Sequence, residues 1–496
     1  MSDDAPRPAE DVLAARREKL ERLRARGIEP FALRFDRDAT IGEVRETFGH
    51  LGRGESSGQT VRIAGRLMAL RRHGKVWFGT VRDGTGELQL FLAEDTLGLE
   101  AFAALEDLDL GDWVGAEGEV VSTRRGELSV RPSRLVLLTK SLRPLPEKWH
   151  GLKDIELRLR RRYLDLVANP EVRERVEARA RMLAAFRSLL DTRGFVEVET
   201  PLLQPIAGGT MARPFVTHHQ ALDIDMYLRV APELYLKRLL VGGLERVYEI
   251  GRTFRNEGIG PKYNPEFTIL EAYQAYASYE DMMELVETLI RAAAQAVTGG
   301  LRFSFRGKDL DLARPWPRLT LHGLVSEAVG REVTPDTAVE DLRRLADERG
   351  VGHDPQWSQG KLVQELYEKL VEPDLIQPVI VKDFPREVSP LARPHRDDPR
   401  LTEHFDPVMG GMEVGTAFSE LTDPDEQRAR FDLQQAQRAA GAQETHPYDE
   451  DFVMALEHGM PPAGGLGLGT DRLLMIFTDA PSLREVIVFP TLRPES

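Results

Sequence analysis

The sequence predicts an α+β protein of two or three domains. It opens with a small β-barrel and continues into a larger unit in which strands and helices alternate. Three observations carry this. The chain has 496 residues, more than one ordinary hydrophobic core covers. Residues 59–138 hold five short strand patterns parted by glycine turns: "TVRIAGRLMAL", "KVWFGTVRD", "GELQLFLAED", "DWVGAEGEVVST" and "GELSVRPSRLVLLT". A helical segment at 97–105 precedes the fourth, which is the count and order of an OB-fold. Beyond residue 170, helical and strand periodicities alternate.

Each element has a local reason. Residues 11–27 read as a helix closed by Gly27 and Pro30. "GHLGRGESSG" (49–58) and "RPLPEKWHG" read as linkers. Residues 170–193 form a long helical pattern with Val172, Val176, Leu183, Phe186 and Leu190 at helical spacing, ended by Gly194. "FVEVETPLL" reads as a strand stopping at Pro201. Residues 246–255 and 266–276 form a hairpin, 280–297 a helix, and much of 319–369 a helical insertion. The expected division is a helix and linker at 1–57, the barrel at 58–142, and the larger unit at 143–496 with its insertion near 319–370.

Composition narrows the chemistry. There are no cysteines, which excludes disulfides, cysteine-ligated metals and a thiol nucleophile. No apolar run approaches a membrane span, and "MSDDAPRPAEDV" lacks a signal-peptide core, so the expected compartment is the cytoplasm. The net charge is −15, which by itself disfavours nucleic acid. Yet basic residues cluster in "RREKLERLRAR", "RRHGK" and "RLRRRY", all in the first third. One such cluster is most simply a solvated helix face; three beside a small barrel suit a polyanion. On the barrel, Phe78, Gln89 and Arg71 suit a stacked base.

Three constellations point to a site. In "GRTFRNEGIGPKYNPEFTILEAYQAY", Phe267, Ile269, Glu271 and Tyr273 share one strand face, and Arg255 and Glu257 stand at the loop end, where a phosphate is within reach. The competing reading is a surface hairpin with cross-strand ion pairs, but both strands are too apolar for that. In "HFDPVMGGMEVGTAFSEL", a Gly410-Gly411 turn pairs Met409 with Met412 and Val408 with Glu413, bringing Asp406 near Glu413. Two carboxylates so placed invite a proton or a hard divalent cation. Glu420 falls on the other parity unless a bulge intervenes. In "GGLGLGTDRLLMIF", alternate glycines let backbone approach a ligand, and Arg472 lies in the first turn of a helix starting near Thr470, a fit for polyphosphate. The alternatives are a glycine packing contact with Arg472 paired to Asp471, or two solvated acids at a hairpin. No Walker loop or GxGxxG occurs.

Together these stretches resemble a class II aminoacyl-tRNA synthetase, specifically a lysyl-tRNA synthetase, over nearly the whole chain. "GFVEVETPLL", "FRNEG…YNPEFTILEAY" and "GLGLGTDR" look like the three class II motifs. "EKWHGLKDIELRLRRRYLDL", "GGTMARPFVTHH" and "LRVAPELYLKRLLVGGLERVYEIGRTFRNEG" are family-like in wording. The resemblance implies an antiparallel six-stranded catalytic sheet, an anticodon-binding OB-fold, a homodimer joined through the first motif, and ATP, L-lysine, Mg²⁺ and tRNA(Lys) as ligands. It implies Arg255 at the α-phosphate and substrate carboxylate, Glu257 beside ATP, Phe267 on adenine and Arg472 at the γ-phosphate. Asp406 and Glu413 would bind magnesium. Gly209 and Glu233 would take the lysine α-amino group; Glu271, Tyr273 and Glu420 its ε-ammonium; Phe418 its stem. Phe78, Gln89 and Arg71 (or Arg66) would read the anticodon. One departure stands out: Thr416 replaces an amide that helps hold the substrate carboxylate, though a hydroxyl can still donate one hydrogen bond. Competing readings are an enzyme that lysylates a protein or lipid, and an inactive tRNA-binding module. The barrel, the lack of a membrane domain, and intact Arg255 and Arg472 argue against them.

Overall fold

The computed structural model describes residues 9–146, 152–439 and 446–495. Residues 1–8 of the polar N-terminus and 147–151 of the second predicted linker lie outside the described residues. The chain divides into two units, Met1–Gly151 and Leu152–Ser496.

In the first unit five strands close a barrel in the order β1-β2-β3-β5-β4. They are β1 (Ser56–His73), β2 (Val76–Arg82), β3 (Glu87–Ala93), β4 (Trp113–Ser122) and β5 (Leu128–Thr139). All five predicted strand patterns form strands. The first begins earlier than expected, because Ser56 already pairs with Val121, so the end of the "GHLGRGESSG" linker is sheet. Gly118 permits the closure: a Cβ there would sit 2.2 Å from the Arg131 carbonyl oxygen. The helix Ala9–Ala25 forms as predicted. A second helix, Ile41–Phe48, has no counterpart among the predicted elements, since eight residues carry barely two turns of pattern. Thr40 and Glu43 close it with a capping box, and Ile41, Val44 and Phe48 enter the barrel core beside Ile63 and Leu90.

The second unit carries β6 (Val196–Glu197), β7 (Leu203–Gln204), β8 (Val216–His219), β9 (Ile224–Leu228), β10 (Arg246–Phe254), β11 (Glu266–Ala275), β12 (Arg302–Phe305) and β13 (Lys308–Asp311). It continues with β14 (Arg318–Thr320), β15 (Val379–Pro385), β16 (Leu401–Val408), β17 (Gly415–Ser419) and β18 (Ala463–Gly469). Its main sheet runs β14-β15-β16-β17-β18-β11-β10-β6. The six inner strands are antiparallel, as expected, and β14 and β6 extend them as short parallel edges. The predicted strand "FVEVETPLL" shrinks to Val196–Glu197, with one further bond from the Val198 N–H to the Tyr248 carbonyl. Pro201 offers no N–H to prolong the ladder.

One face of this sheet is the core. Leu270 and Ala272 of β11, Leu466 and Leu468 of β18 and Ala417 of β17 pack against the helices Pro170–Thr192, Tyr279–Thr298 and Thr470–Phe477. On Pro170–Thr192 the predicted stripe is mostly buried, but Val176 is exposed and Met182 is buried instead. The insertion folds as three helices, Leu321–Val329, Val339–Glu348 and Gln359–Leu370, around a core shared with β15. By strand alternation, the other face of the sheet receives Phe267, Ile269, Glu271, Tyr273, Thr416 and Phe418.

Candidate active site

The alternate glycines of "GLGLG" make the floor of the site. β18 lies between β17 and β11, so Gly465 faces Tyr273 and Phe418, and Gly467 faces Glu271 and Thr416. A Cβ at Gly465 would lie 2.1 Å from Glu420 Oε1 and 2.4 Å from Tyr273 Cε1. Any side chain there would fill the space that the flanking carboxylate and phenol occupy.

Glu271 is 4% exposed and accepts a hydrogen bond from the Tyr273 hydroxyl at 3.0 Å. Burial, reinforced by the nearby Glu233 charge, pushes its carboxyl up to about 8. Glu420 reaches the same cluster through a bulge. The turn pairs Val408 with Glu413, while the strands pair Phe405 with Ala417. Three steps on one strand therefore match four on the other, which reverses the parity and brings Glu420 to the pocket face. Its burial pushes the carboxyl up to about 8, with Lys237 pulling the other way. Gly209 and Glu233 also meet: Gly209 has φ +99°, and a Cβ on it would lie 3.2 Å from Glu233 Cβ.

The end of the site that carries Arg255 and Arg472 is cationic. Arg255 lies over the Phe267 ring at 5.1 Å, and its Nε has no hydrogen-bond partner. Beside it a cavity of about 650 Å³ is lined by Arg213, Asn256, Glu257 and Tyr263. Arg472 does not pair with Asp471, which instead meets Arg179 and accepts from the Thr268 N–H. Arg472 Nη1 donates to the Glu413 carbonyl at 2.8 Å and lies 3.4 Å from its carboxylate. The predicted turn register holds, with Gly410 and Gly411 both at positive φ. Lost hydration in the cleft and the Asp406 charge raise the Glu413 carboxyl; Arg472 opposes them. Asp406 lies 2.9 Å from His404 Nε2, which is also 2.8 Å from the Thr416 hydroxyl. The Thr416 side chain is thus already engaged.

On the barrel, Arg71 donates to Gln89 Oε1 at 3.1 Å and its guanidinium lies 6.0 Å from the Phe78 ring. Gln89 in turn donates to Ser129. Arg66 stands apart: it pairs across the ladder with Arg82, four residues along β2 from Phe78, and stacks on Trp113 at 4.9 Å. The basic clusters are less free than they read. Arg22 and Arg26 meet Asp107, Lys19 meets Asp109, Arg72 meets Glu106, and Arg158 and Arg162 meet Asp165.

Comparison with known proteins decides the family. The profile of "tRNA synthetases class II (D, K and N)" matches residues 154–493, and that of the OB-fold nucleic acid binding domain matches 61–138. The chain is 52% identical over 485 residues to a lysine–tRNA ligase of Moorella thermoacetica, covering 98% of both. It is 50% identical over 486 residues to that of Syntrophomonas wolfei, again 98% of both. With that of Thermosynechococcus vestitus it is 49% identical over 492 residues, 98% of this chain and 97% of the relative. The chain belongs to the class II lysine–tRNA ligase family.

In this family member the structure adds groups that sequence reading passed over. Lys237 is fully buried between Glu233 Oε1 at 2.6 Å and Glu420 Oε2 at 2.5 Å. The contact to Glu420 is an ion pair off the hydrogen-bond direction, and both Glu420 oxygens lack a directed donor. Burial would lower the Lys237 ammonium, but the two carboxylates outweigh it and hold it charged. The only sequence signal was a Glu–Lys pair four apart, which on most helices faces water. His446 accepts the Gly209 N–H on Nε2 at 2.7 Å, so its proton sits on Nδ1, facing the Pro447 carbonyl at 2.8 Å. Burial holds its pKa down to about 4, which keeps that acceptor neutral. Nothing near residue 446 in the sequence points to residue 209.

Proposed function

We propose that this protein activates L-lysine with ATP to lysyl-adenylate and transfers the lysyl group to the 3′ end of tRNA(Lys). One observation carries the reading: buried Glu271 and Glu420 with the Tyr273 phenol share the sheet face of Phe267, with buried Glu233 presented beside them by the helix Glu233–Val241 and Arg255 lying over the Phe267 ring. That face suits a molecule with ammonium groups at one end and a carboxylate meeting phosphate at the other. The relatives' shared name and near-complete coverage support tRNA as acceptor, and nothing favours a protein or lipid acceptor or an inactive module.

The lysine carboxylate is ionised near neutral pH, so it attacks the α-phosphorus in line without a general base, and pyrophosphate leaves. Arg255 aligns carboxylate and α-phosphate, and its unpaired Nε is available for this. Phe267 gives adenine a stacking surface, Glu257 borders the nucleotide cavity, and Arg472 meets the γ-phosphate. Gly209 and Glu233 receive the α-ammonium; Glu271, Tyr273 and Glu420 take the ε-ammonium; Phe418 walls the methylenes. Thr416 acts on the substrate carboxylate side, its hydroxyl shared with His404. The ribose hydroxyl of the terminal adenosine then attacks the mixed anhydride and AMP leaves.

Asp406 and Glu413 are the residues that would hold Mg²⁺. The raised Glu413 carboxyl beside Asp406 fits a site that a cation completes. Among the described residues no group of three or more acid or imidazole ligands gathers, which suits an ion that keeps waters and substrate phosphates as ligands. When bound, the ion supplies neutralisation of phosphate charge.

On the barrel, Phe78 stacks a base while Gln89 and Arg71 bond its edge, for the anticodon. Val196, Leu202, Leu203, Val216 and Leu222 are exposed apolar residues of the first-motif region and its neighbours, and we assign them to a homodimer contact. No described helix is long and apolar enough to cross a membrane, and we assign the protein to the cytoplasm. The test is ATP–pyrophosphate exchange with each of the twenty amino acids. Lysine should drive it best; exchange driven best by another amino acid overturns the reading.

A further inference from the structure

The lysine pocket contains more acid than its ligands of record balance. Glu233, Glu271 and Glu420 contribute three carboxylates, and Lys237 contributes one ammonium. The other charged groups around Lys237 cancel. Asp449, on the segment leading into the helix Glu450–Glu457, is paired with Arg238 at 2.9 Å, and the second acid on Arg238, Asp451, is open to solvent and screened. His446 is neutral, with its lone pair on the Gly209 N–H. Phe452 presents a ring at 5.9 Å from the Lys237 nitrogen. From β11, Glu271 meets the Tyr273 hydroxyl, and the Arg229 nearby is paired with Glu249 at 2.5 Å. With all three carboxylates ionised, the pocket therefore carries a formal charge of minus two.

We propose that Lys237 is a positioning residue that sets the charge of the ionised pocket to minus two, the value that the two ammonium groups of L-lysine neutralise. This rests on the lysine reading above and explains how the pocket is matched to a diamine. A single buried counter-ion for Glu233 would need only one contact. Lys237 instead spans Glu233 and Glu420, the carboxylates assigned to the two ends of the substrate, and fixes both while leaving the Glu420 oxygens without a directed donor. Without Lys237 the same cavity holds three unbalanced carboxylates. Burying a third net charge is costly, so a proton is taken up in place of the missing ammonium, and a protonated carboxyl is a poorer acceptor for an incoming ammonium.

The test uses the full-length protein and lysine-dependent pyrophosphate exchange across about pH 6.5 to 9.5. Lys237→Met should raise KM for lysine by about tenfold or more near neutral pH, with KM for ATP little changed. The pH at which kcat/KM for lysine reaches half its plateau should rise by about one unit, because the carboxyls become harder to ionise. Lys237→Arg keeps the charge and should keep the wild-type midpoint, whatever its KM. An unmoved midpoint in the Met variant, or a parallel rise in KM for ATP, overturns the proposal. Circular dichroism and the melting temperature report folding. Should the Met variant not fold, Lys237→Gln is read in the same way. Failure of both to fold makes Lys237 a scaffold residue and also overturns it. Wild-type protein without lysine-dependent exchange would instead remove the lysine reading itself.

Discussion

In the proposed lysine pocket, Glu420 and Lys237 are 1% and 0% exposed, and Glu233 and Glu420 both lean on the Lys237 ammonium. On the barrel, Arg71 is open to solvent, Phe78 is half-buried, and their partner is a neutral amide. Both regions sit on β-sheet faces and gather groups by strand register, though the pocket also takes Glu233 and Lys237 from a helix. They differ in what surrounds the charge. Low local dielectric turns the pocket into a set of coupled ionisations, so removing one member disturbs the rest. The barrel face is wet, and each group there acts nearly alone. Selection of a small dication therefore calls for buried, pre-arranged charge, while reading a flexible nucleotide calls for an accessible ring and adaptable donors.

The sharpest way to break this contrast is Glu271→Gln. It should lower kcat/KM for lysine by about 100-fold or more, because it removes a buried acceptor from the ammonium, while KM for ATP stays near wild type. Pyrophosphate exchange at varied lysine and varied ATP measures it, and a normal lysine dependence would move Glu271 out of the pocket. Phe78→Ala should weaken tRNA charging by about 1–3 kcal/mol, one lost stack, with exchange unchanged. Equal losses in both assays would make Phe78 a folding residue and erase the difference between the two regions.

Smaller effects sharpen it. His446→Leu removes the acceptor for the Gly209 N–H and should raise KM for lysine by about 1 kcal/mol, the worth of one such bond, and His446→Gln should restore part of it. The smallest effect is on stability. Glu271 and Glu420 titrate near 8 when folded against an ordinary 4.5, so the folded protein holds the extra protons between those values. Their contribution to stability is complete below about 4.5 and lost as pH rises through about 8. Lysine supplies the missing cations, so the rise in Tm that lysine causes should be larger above pH 8 than at pH 6, as read by differential scanning calorimetry. The barrel, with no comparable group, should show no such dependence.

Much of this was readable before the fold. The hairpin of β10 and β11, the Gly410-Gly411 turn, the helices flanked by caps and the five barrel strands all follow from patterns within a few residues. The helix Ile41–Phe48 was not, because eight residues give too little periodicity, and Val196–Glu197 read longer than it is because β-branched residues continue past the last ladder bond. The separate placements of Arg71 and Arg66 needed the ladder, which brings Arg71 to Gln89 and sends Arg66 to Trp113.

By itself, then, the sequence determined which face of each strand carries acids, aromatics or glycines, because side-chain alternation is a property of the backbone and needs no partner. Tertiary structure decided which of those groups are charged together. Glu420 enters the pocket only because one extra residue is accommodated between β16 and β17. Lys237 becomes an internal counter-ion only because the helix Glu233–Val241 brings it against Glu420, and His446 reaches Gly209 from 237 residues away. Burial, dielectric and pairing depend on residues that are distant in the chain, and local pattern holds no record of them.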